Sequence, residues 1–172
     1  MKKIIFFDGD GTLWYPKKTK RKKHPVWLYR DKRIKNHVNH LMMIPSVLTT
    51  IKKLKRIGII TIVLSTHPHP PKKADAIVNH KIKYFKLGKL FDEVHATRDY
   101  QGSKGEFILK ILKQRKIQKS KALMVGDSYE WDYKPAKEIG IKALLIKSEY
   151  EPMAKKVKNS INKLSDIFKY IS

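Results

Sequence analysis

The 172-residue sequence contains no cysteine, which excludes disulfide bonds and thiolate metal sites. It is also poor in arginine and in acids: only 6 of the 39 basic residues are arginine, and there are 15 acidic residues. No apolar run approaches the roughly 20 residues that a membrane span needs. The chain enters an apolar segment at once, with no sign of a signal peptide. We therefore expect a cytoplasmic protein without membrane contact.

The formal net charge of +24 has two interpretations. Positive charge of this size attracts polyanions by counterion release, so nucleic acid is a candidate partner. Specific nucleic-acid recognition, however, relies on arginine for paired hydrogen bonds, and arginine is scarce. The alternative is a lysine-rich composition with no nucleic-acid partner. Composition leaves both interpretations open.

Apolar segments predict five strands that alternate with helices. Strands are expected at residues 4–7, 59–64, 91–96, 122–125 and 141–146, and helices at 45–57, 72–87, 104–112, 135–139 and from 151 onward. Residues 4–7 and 122–125 are continuous apolar runs and 59–64 is apolar except for Thr61, which is typical of strands covered on both faces. This order predicts an α/β fold with a three-layer, doubly wound, mostly parallel sheet, in a single domain of residues 1–172.

The segment of residues 13–44, here called the basic flap, interrupts this alternation. Between Lys17 and Lys35 it holds ten lysine or arginine residues and one acid, with Trp27 and Tyr29 among them. It shows no helical periodicity, so we expect an extended, hairpin-like excursion after the first strand. Two interpretations stay open: a solvated loop, or a surface that meets an anionic substrate.

Polar side chains follow three of the predicted strands. They are Asp8 and Asp10 in the run Asp-Gly-Asp-Gly-Thr, then Ser65 and Thr66, then Asp127 and Asp132. Because ligands of open α/β sheets bind outside the carboxyl ends of the strands, these groups should face one site. Lys104 is expected in the first turn of a helix, where its charge opposes the helix dipole unless an anion binds there.

The order and spacing of these groups resemble the haloacid dehalogenase superfamily along the whole chain. Its first motif corresponds to Asp8-Gly9-Asp10-Gly11-Thr12, and its other three to Ser65, to Lys104, and to Gly126-Asp127 with Asp132. The gaps between motifs, 52 and 38 residues, leave no room for a large cap domain. Length, the near absence of a cap and the Leu-Trp after Asp-Gly-Thr resemble the small magnesium-dependent phosphatase family. Gly9, Gly126 and the basic flap depart from that family's pattern.

The resemblance implies a Mg²⁺-dependent phosphatase that hydrolyses phosphate monoesters through an aspartyl-phosphate. Asp8 would be the nucleophile, and Asp10 would protonate the leaving alcohol and then deprotonate water. An acid at that second position favours phosphatases and phosphomutases over ATPases and dehalogenases. Asp8, the backbone carbonyl of Asp10, and Asp127 would hold the Mg²⁺ ion.

The resemblance also implies a phosphate-binding group made of Ser65, Thr66 and Lys104. Asp132 would orient Lys104 or a metal-bound water. The substrate expected from the resemblance is a small phosphorylated molecule. Two alternatives remain: a polynucleotide 3′-phosphatase that uses the basic flap, and a nucleic-acid-binding protein with an inactive phosphatase site.

Overall fold

The structure of the protein, a computed structural model, describes residues 1–67, 69–97 and 102–171. Its strands are β1 (Ile4–Phe7), β2 (Trp14–Pro16), β3 (Leu41–Met43), β4 (Ile60–Thr66), β5 (Glu93–Thr97), β6 (Ala122–Gly126), β7 (Lys142–Ile146) and β8 (Ser160–Ile161). Its α-helices are α1 (Val26–Arg30), α2 (Val47–Arg56), α3 (Pro71–Tyr84), α4 (Lys104–Gln114) and α5 (Lys134–Glu138). Within these ranges, none of the helices is both long enough and apolar enough to cross a membrane.

Six of the strands form one parallel sheet, in the order β5-β4-β1-β6-β7-β8. Alternate residues of β1 face opposite sides of it. Ile5 and Phe7 lie in the core that α2 and α3 cover, and Ile4 and Phe6 in the core that α4 and α5 cover. The predicted α/β fold, with a parallel sheet between two helical layers, is confirmed. Because β1, β4 and β6 are neighbours, their carboxyl ends meet at one edge.

The C-terminal region differs from the helix that the sequence predicts after residue 151. It consists of two 3₁₀ turns, Pro152–Lys155 and Leu164–Lys169, with β8 between them as a sixth strand of the sheet. Leu164 and Ile167 are buried three residues apart, a spacing that suits a 3₁₀ turn as well as an α-helix. The helix prediction was wrong because that spacing does not distinguish the two, and a two-residue strand shows no pattern.

The basic flap is closed at its base by an antiparallel pair, β2 with β3, in which Tyr15 lies opposite Met42. Helix α1 lies between these two strands along the chain. The expectation that the flap contains no helix was wrong. Leu28 of α1 is buried in the same core as Leu13 and Trp14, so burial stabilises a five-residue helix that is too short to show periodicity.

Candidate active site

The carboxyl ends of three adjacent strands bring predicted site residues together. Asp8 directly follows β1 and Asp127 directly follows β6, while Ser65 and Thr66 are the last two residues of β4. The strand β4 therefore extends two residues beyond its predicted end. A cavity of about 350 Å³ opens at this edge, and its lining includes Asp8, Asp10, Thr66, Lys104, Asp127 and Asp132.

Lys104 is the first residue of α4, and its ammonium is buried between two carboxylates. The Nζ atom lies 2.5 Å from Oδ1 of Asp8 and also contacts Oδ1 of Asp132. The helix begins here because Ser103 Oγ accepts a hydrogen bond from the Glu106 N–H, and the Glu106 carboxylate accepts one from the Ser103 N–H. Burial alone would lower the pKa of Lys104, but the charges of Asp132 and Asp8 outweigh burial and raise it.

Asp132 reaches back from a π-helical turn, Tyr129–Tyr133, to the end of β6. Its Oδ2 accepts a hydrogen bond of 3.0 Å from the backbone N–H of Ser128. The carboxylate occupies the space that a Cβ atom would need at residue 126, so only glycine fits there. The glycine before Asp127, a departure from the resembled family, follows from this close approach.

Asp127 carries a buried oxygen that suits a metal ion. Its Oδ2 accepts a hydrogen bond of 2.5 Å from the Tyr150 hydroxyl, whereas Oδ1 is buried without a hydrogen-bond partner in the described part of the chain. Oxygens of Asp8, Asp127 and Asp132 lie within 4.8 Å of one another. Burial and the charge of Asp132 raise the pKa of Asp127 to about 8, and burial raises the pKa of Asp8 well above its ordinary value. These carboxylates fit a hard divalent cation, which binds oxygen ligands and relieves their repulsion.

Asp10 lies in the turn after β1 and has three hydrogen-bond donors on one oxygen. Its Oδ1 accepts from the Lys81 ammonium at 2.8 Å, from the Tyr29 hydroxyl at 3.1 Å and from the Trp14 indole N–H. Burial alone would raise the pKa of Asp10. Lys81, His24 and Trp14 outweigh burial and lower that pKa to about 2. Asp10 is therefore a carboxylate at neutral pH.

Ser65 is buried, and its Oγ has no hydrogen-bond partner among residues 1–67, 69–97 and 102–171. A buried hydroxyl without a partner costs free energy, which a bound phosphate oxygen would recover. A Cβ atom at residue 9 would lie 3.0 Å from this Oγ and 2.7 Å from the Trp14 ring, which explains the glycine there. Thr66 lines the cavity beside Ser65.

His67 is buried as well, and burial, with the charge of Lys81, lowers its pKa to about 4, so its ring is neutral.

A family model described as haloacid dehalogenase-like hydrolase matches residues 2–146. The chain belongs to the haloacid dehalogenase-like hydrolases. The match spans all four groups predicted from the sequence, from the Asp8 motif to Asp132. No curated protein is significantly similar to the chain.

Several solved structures share the fold. A haloacid dehalogenase-like family hydrolase from Streptococcus pneumoniae is 18% identical, with a TM-score of 0.74 over 99% of both chains. A predicted phosphatase from Clostridium acetobutylicum is 16% identical, with a TM-score of 0.74 over 99% of this chain and 98% of its own. A predicted phosphoglycolate phosphatase from Haemophilus somnus is 18% identical, with a TM-score of 0.69 over 99% and 98%. Identities this low establish the common fold, and the resemblance to the small magnesium-dependent phosphatases remains a prediction.

Tyr29, Lys81 and Tyr150, which contact the predicted carboxylates or their partners, were not predicted from the sequence. One of them left a signal. Ala74, Val78 and Lys81 follow each other at helical spacing on the inner side of α3, and a lysine on such a stripe indicates a buried charge with a partner. Tyr29 and Tyr150 come from the basic flap and from the segment after β7, whose paths no periodic pattern predicts.

Proposed function

We propose that the protein is a Mg²⁺-dependent phosphatase that hydrolyses phosphate monoesters through an aspartyl-phosphate on Asp8. The observation that carries the proposal is the arrangement around one cavity of two buried carboxylates, Asp8 and Asp10, with the Lys104 ammonium 2.5 Å from Asp8. A nucleophile, an acid–base group and a cation for phosphoryl oxygens thus line the same space. Solved relatives of the same fold that are described as phosphatases support this choice.

In the first step, a carboxylate oxygen of Asp8 attacks phosphorus while the bond to the leaving oxygen breaks. Ser65 Oγ would donate a hydrogen bond to a phosphoryl oxygen, since that hydroxyl lacks a partner within the described ranges. Lys104 has three N–H donors, and two of them point to Asp8 and Asp132. The third would bind a phosphoryl oxygen, where negative charge accumulates in the transition state.

Asp10 would handle the protons of both steps. Its ionised form is the one that accepts a proton from water when the aspartyl-phosphate is hydrolysed. A bound phosphate dianion raises the proton affinity of a neighbouring carboxylate. This rise would allow Asp10 to take up a proton and pass it to the leaving oxygen in the first step.

Mg²⁺ fits the residues present, because Oδ1 of Asp127 is buried without a partner in the described segments, and a carboxylate oxygen of Asp127 lies within 4.8 Å of one of Asp8. Asp8, the backbone carbonyl of Asp10, and Asp127 would hold the ion, which would neutralise part of the negative charge of the site and of the phosphate. Asp132 would remain with Lys104, which it already contacts.

The outer part of the cavity indicates a small substrate. His24, Val26 and Arg30 of the basic flap line the cavity, and so does Trp131. The volume of about 350 Å³ is near the lower end of small-molecule sites, which span roughly 300–1,000 Å³. Half of the Trp131 surface is exposed, so a planar leaving group could stack on it while Arg30 pairs with a second anionic group.

One observation favours a polynucleotide end as a second candidate substrate. A surface groove on the basic flap is lined by Tyr15, Lys18, Thr19, Lys20, Arg21, Lys22 and Glu149. Arg21 also donates a hydrogen bond of 3.3 Å to the carbonyl of Gly11 in the catalytic turn. A polyanion in this groove would therefore approach the active site. Phosphate release from a 3′-phosphorylated oligonucleotide tests this candidate, and binding without release would indicate a nucleic-acid-binding protein with an inactive site.

The direct test of the phosphatase proposal is Asp8→Asn, because an amide cannot attack phosphorus. Release of p-nitrophenol from p-nitrophenyl phosphate in Mg²⁺ should fall by orders of magnitude, as for loss of a nucleophile elsewhere. Glu138→Gln, an exposed residue of α5, makes the same change of charge and should behave like the parent. Asp8→Asn activity within about tenfold of the parent would refute the nucleophile role.

A further inference from the structure

Lys81 is a fully buried charged residue that the steps above do not use. It lies on α3, 71 residues along the chain from Asp10, and its ammonium lies 2.8 Å from Oδ1 of Asp10. The same ammonium contacts the Tyr29 hydroxyl and lies 4.4 Å from the centre of the Tyr29 ring and 5.6 Å from that of Trp14. Removing a charge from water costs several kcal/mol, so a buried ion pair adds little net stability. The ion pair between Lys81 and Asp10 instead fixes the orientation of the Asp10 carboxylate.

The donors on Asp10 come from three elements, β2, α1 and α3, and end on the same oxygen, Oδ1. Trp14 follows Asp10 by four residues and is the first residue of β2. Tyr29 and Lys81 belong to α1 and α3, so they anchor the carboxylate to the basic flap and to the helical layer. With Oδ1 held in this way, Oδ2 is the oxygen that can exchange a proton at the reaction centre.

We propose that Lys81, together with Tyr29, is a positioning residue that orients the Asp10 carboxylate for hydrolysis of the aspartyl-phosphate; this inference rests on the proposed phosphatase function. In that step, a water oxygen forms a bond to phosphorus while the bond between phosphorus and the Asp8 oxygen breaks. Asp8 leaves as a carboxylate with the bonding electron pair, and a proton of the water passes to Oδ2 of Asp10. Lys81 touches Asp10 and none of the reacting atoms.

The proposal predicts a particular kinetic pattern for Lys81→Met with p-nitrophenyl phosphate. The nitrophenolate leaves without needing a proton, so formation of the aspartyl-phosphate should survive a misoriented Asp10, whereas its hydrolysis should not. We expect kcat to fall by about 10- to 100-fold, part of the effect of a general base. KM should fall in parallel, so that kcat/KM stays within about threefold of the parent. A burst of nitrophenol equal to the enzyme concentration should precede the slow turnover.

The absence of cysteine permits a chemical rescue of this variant. Lys81→Cys introduces a single thiol, which can be alkylated in denaturant with 2-bromoethylamine before refolding. The product has the length and charge of lysine, whereas alkylation with 1-bromopropane gives a neutral side chain of the same length. The aminoethyl protein should recover most of the lost kcat and lose the burst. The propyl protein should keep the slow turnover.

Two further variants complete the test. Lys83→Met changes an exposed lysine of the same helix and should leave the kinetics unchanged. Tyr29→Phe removes only the hydroxyl that contacts Lys81, so it should show a smaller burst of nitrophenol. If Lys81→Met does not fold, Tyr29→Phe tests the positioning role instead. A joint loss of kcat and kcat/KM, unchanged kinetics, or equal recovery by the two alkyl groups would overturn the positioning role.

The outcomes for this inference and for the proposed function are separable. If the parent forms a phosphorylated Asp8 and Lys81→Met turns over at the parent rate, only the role of Lys81 is refuted. If the parent forms no aspartyl-phosphate from any ester, the phosphatase proposal fails and the role of Lys81 fails with it. Acid quenching followed by mass measurement of the Asp8 peptide distinguishes these cases.

Discussion

Replacing Asp127 by asparagine should stabilise the protein when no metal is bound, although it should weaken metal binding. Asp127 is buried beside Asp8 and Asp132, and burial with the charge of Asp132 raises its pKa from an ordinary 3.8 to about 8. A carboxyl whose pKa is higher in the folded than in the unfolded chain makes the fold less stable as the pH rises from about 4 towards 8. Asparagine carries no such charge and can still accept the hydrogen bond from Tyr150.

The size of the effect follows from that pKa. One pKa unit corresponds to about 1.4 kcal/mol. A pKa of about 8 in place of 3.8 therefore lowers the free energy of unfolding of the parent at pH 7 by at most about 4 kcal/mol. In a protein of this length, a change of about 1 kcal/mol in the free energy of unfolding shifts Tm by about 2–4 °C. We therefore expect Asp127→Asn to raise Tm in chelator at pH 7 by several degrees, and the difference to disappear near pH 4.

Thermal unfolding followed by circular dichroism, in chelator and in Mg²⁺, measures this difference. Mg²⁺ should raise the Tm of the parent, since a ligand that binds only the folded state stabilises it, and should have less effect on Asp127→Asn. Glu138→Gln controls for the loss of one negative charge at an exposed site. If Asp127→Asn is less stable than the parent in chelator at pH 7, the Asp127 carboxylate does not destabilise the metal-free protein and the reasoning is refuted.

Four further outcomes are expected. Hydrolysis of p-nitrophenyl phosphate should require Mg²⁺ and stop in chelator, and undiminished turnover in chelator would contradict the metal role. Ser65→Ala should lower kcat/KM by about 10- to 100-fold, the value of a hydrogen bond to a charged phosphoryl group, with the fold intact by circular dichroism. Lys104→Met should abolish turnover and lower the free energy of unfolding by about 3 kcal/mol or more in urea titrations, because it leaves two buried carboxylates without their cation. Joint replacement of four flap residues, Lys20, Arg21, Lys22 and Lys23, should weaken oligonucleotide binding, while turnover of p-nitrophenyl phosphate stays constant. The slope of log K against log salt concentration should flatten by about 0.7–0.9 per lost phosphate contact. A parent that binds no oligonucleotide at moderate salt would mark the flap as a solvated surface.

The sequence by itself was enough to predict the parallel sheet and the grouping of Asp8, Ser65 and Asp127 at one edge of it. Both follow from local properties. A buried strand is a short continuous apolar run, and a residue just after such a run must lie at the strand's carboxyl end. The cap of α4 is equally local, since Ser103 and Glu106 lie three residues apart, and it places Lys104 in the first turn.

Only the tertiary structure showed what surrounds those groups. Lys81 and Tyr29 lie 71 and 19 residues from Asp10, and Tyr150 lies 23 residues from Asp127. Contacts of this kind depend on how helices and the flap pack across the sheet, and no spacing along the chain encodes that packing. The same reason accounts for β8 and for α1. Each is too short to have a period of its own, and each is stabilised by the neighbours on which it lies, β7 for the strand and the core beneath the flap for the helix.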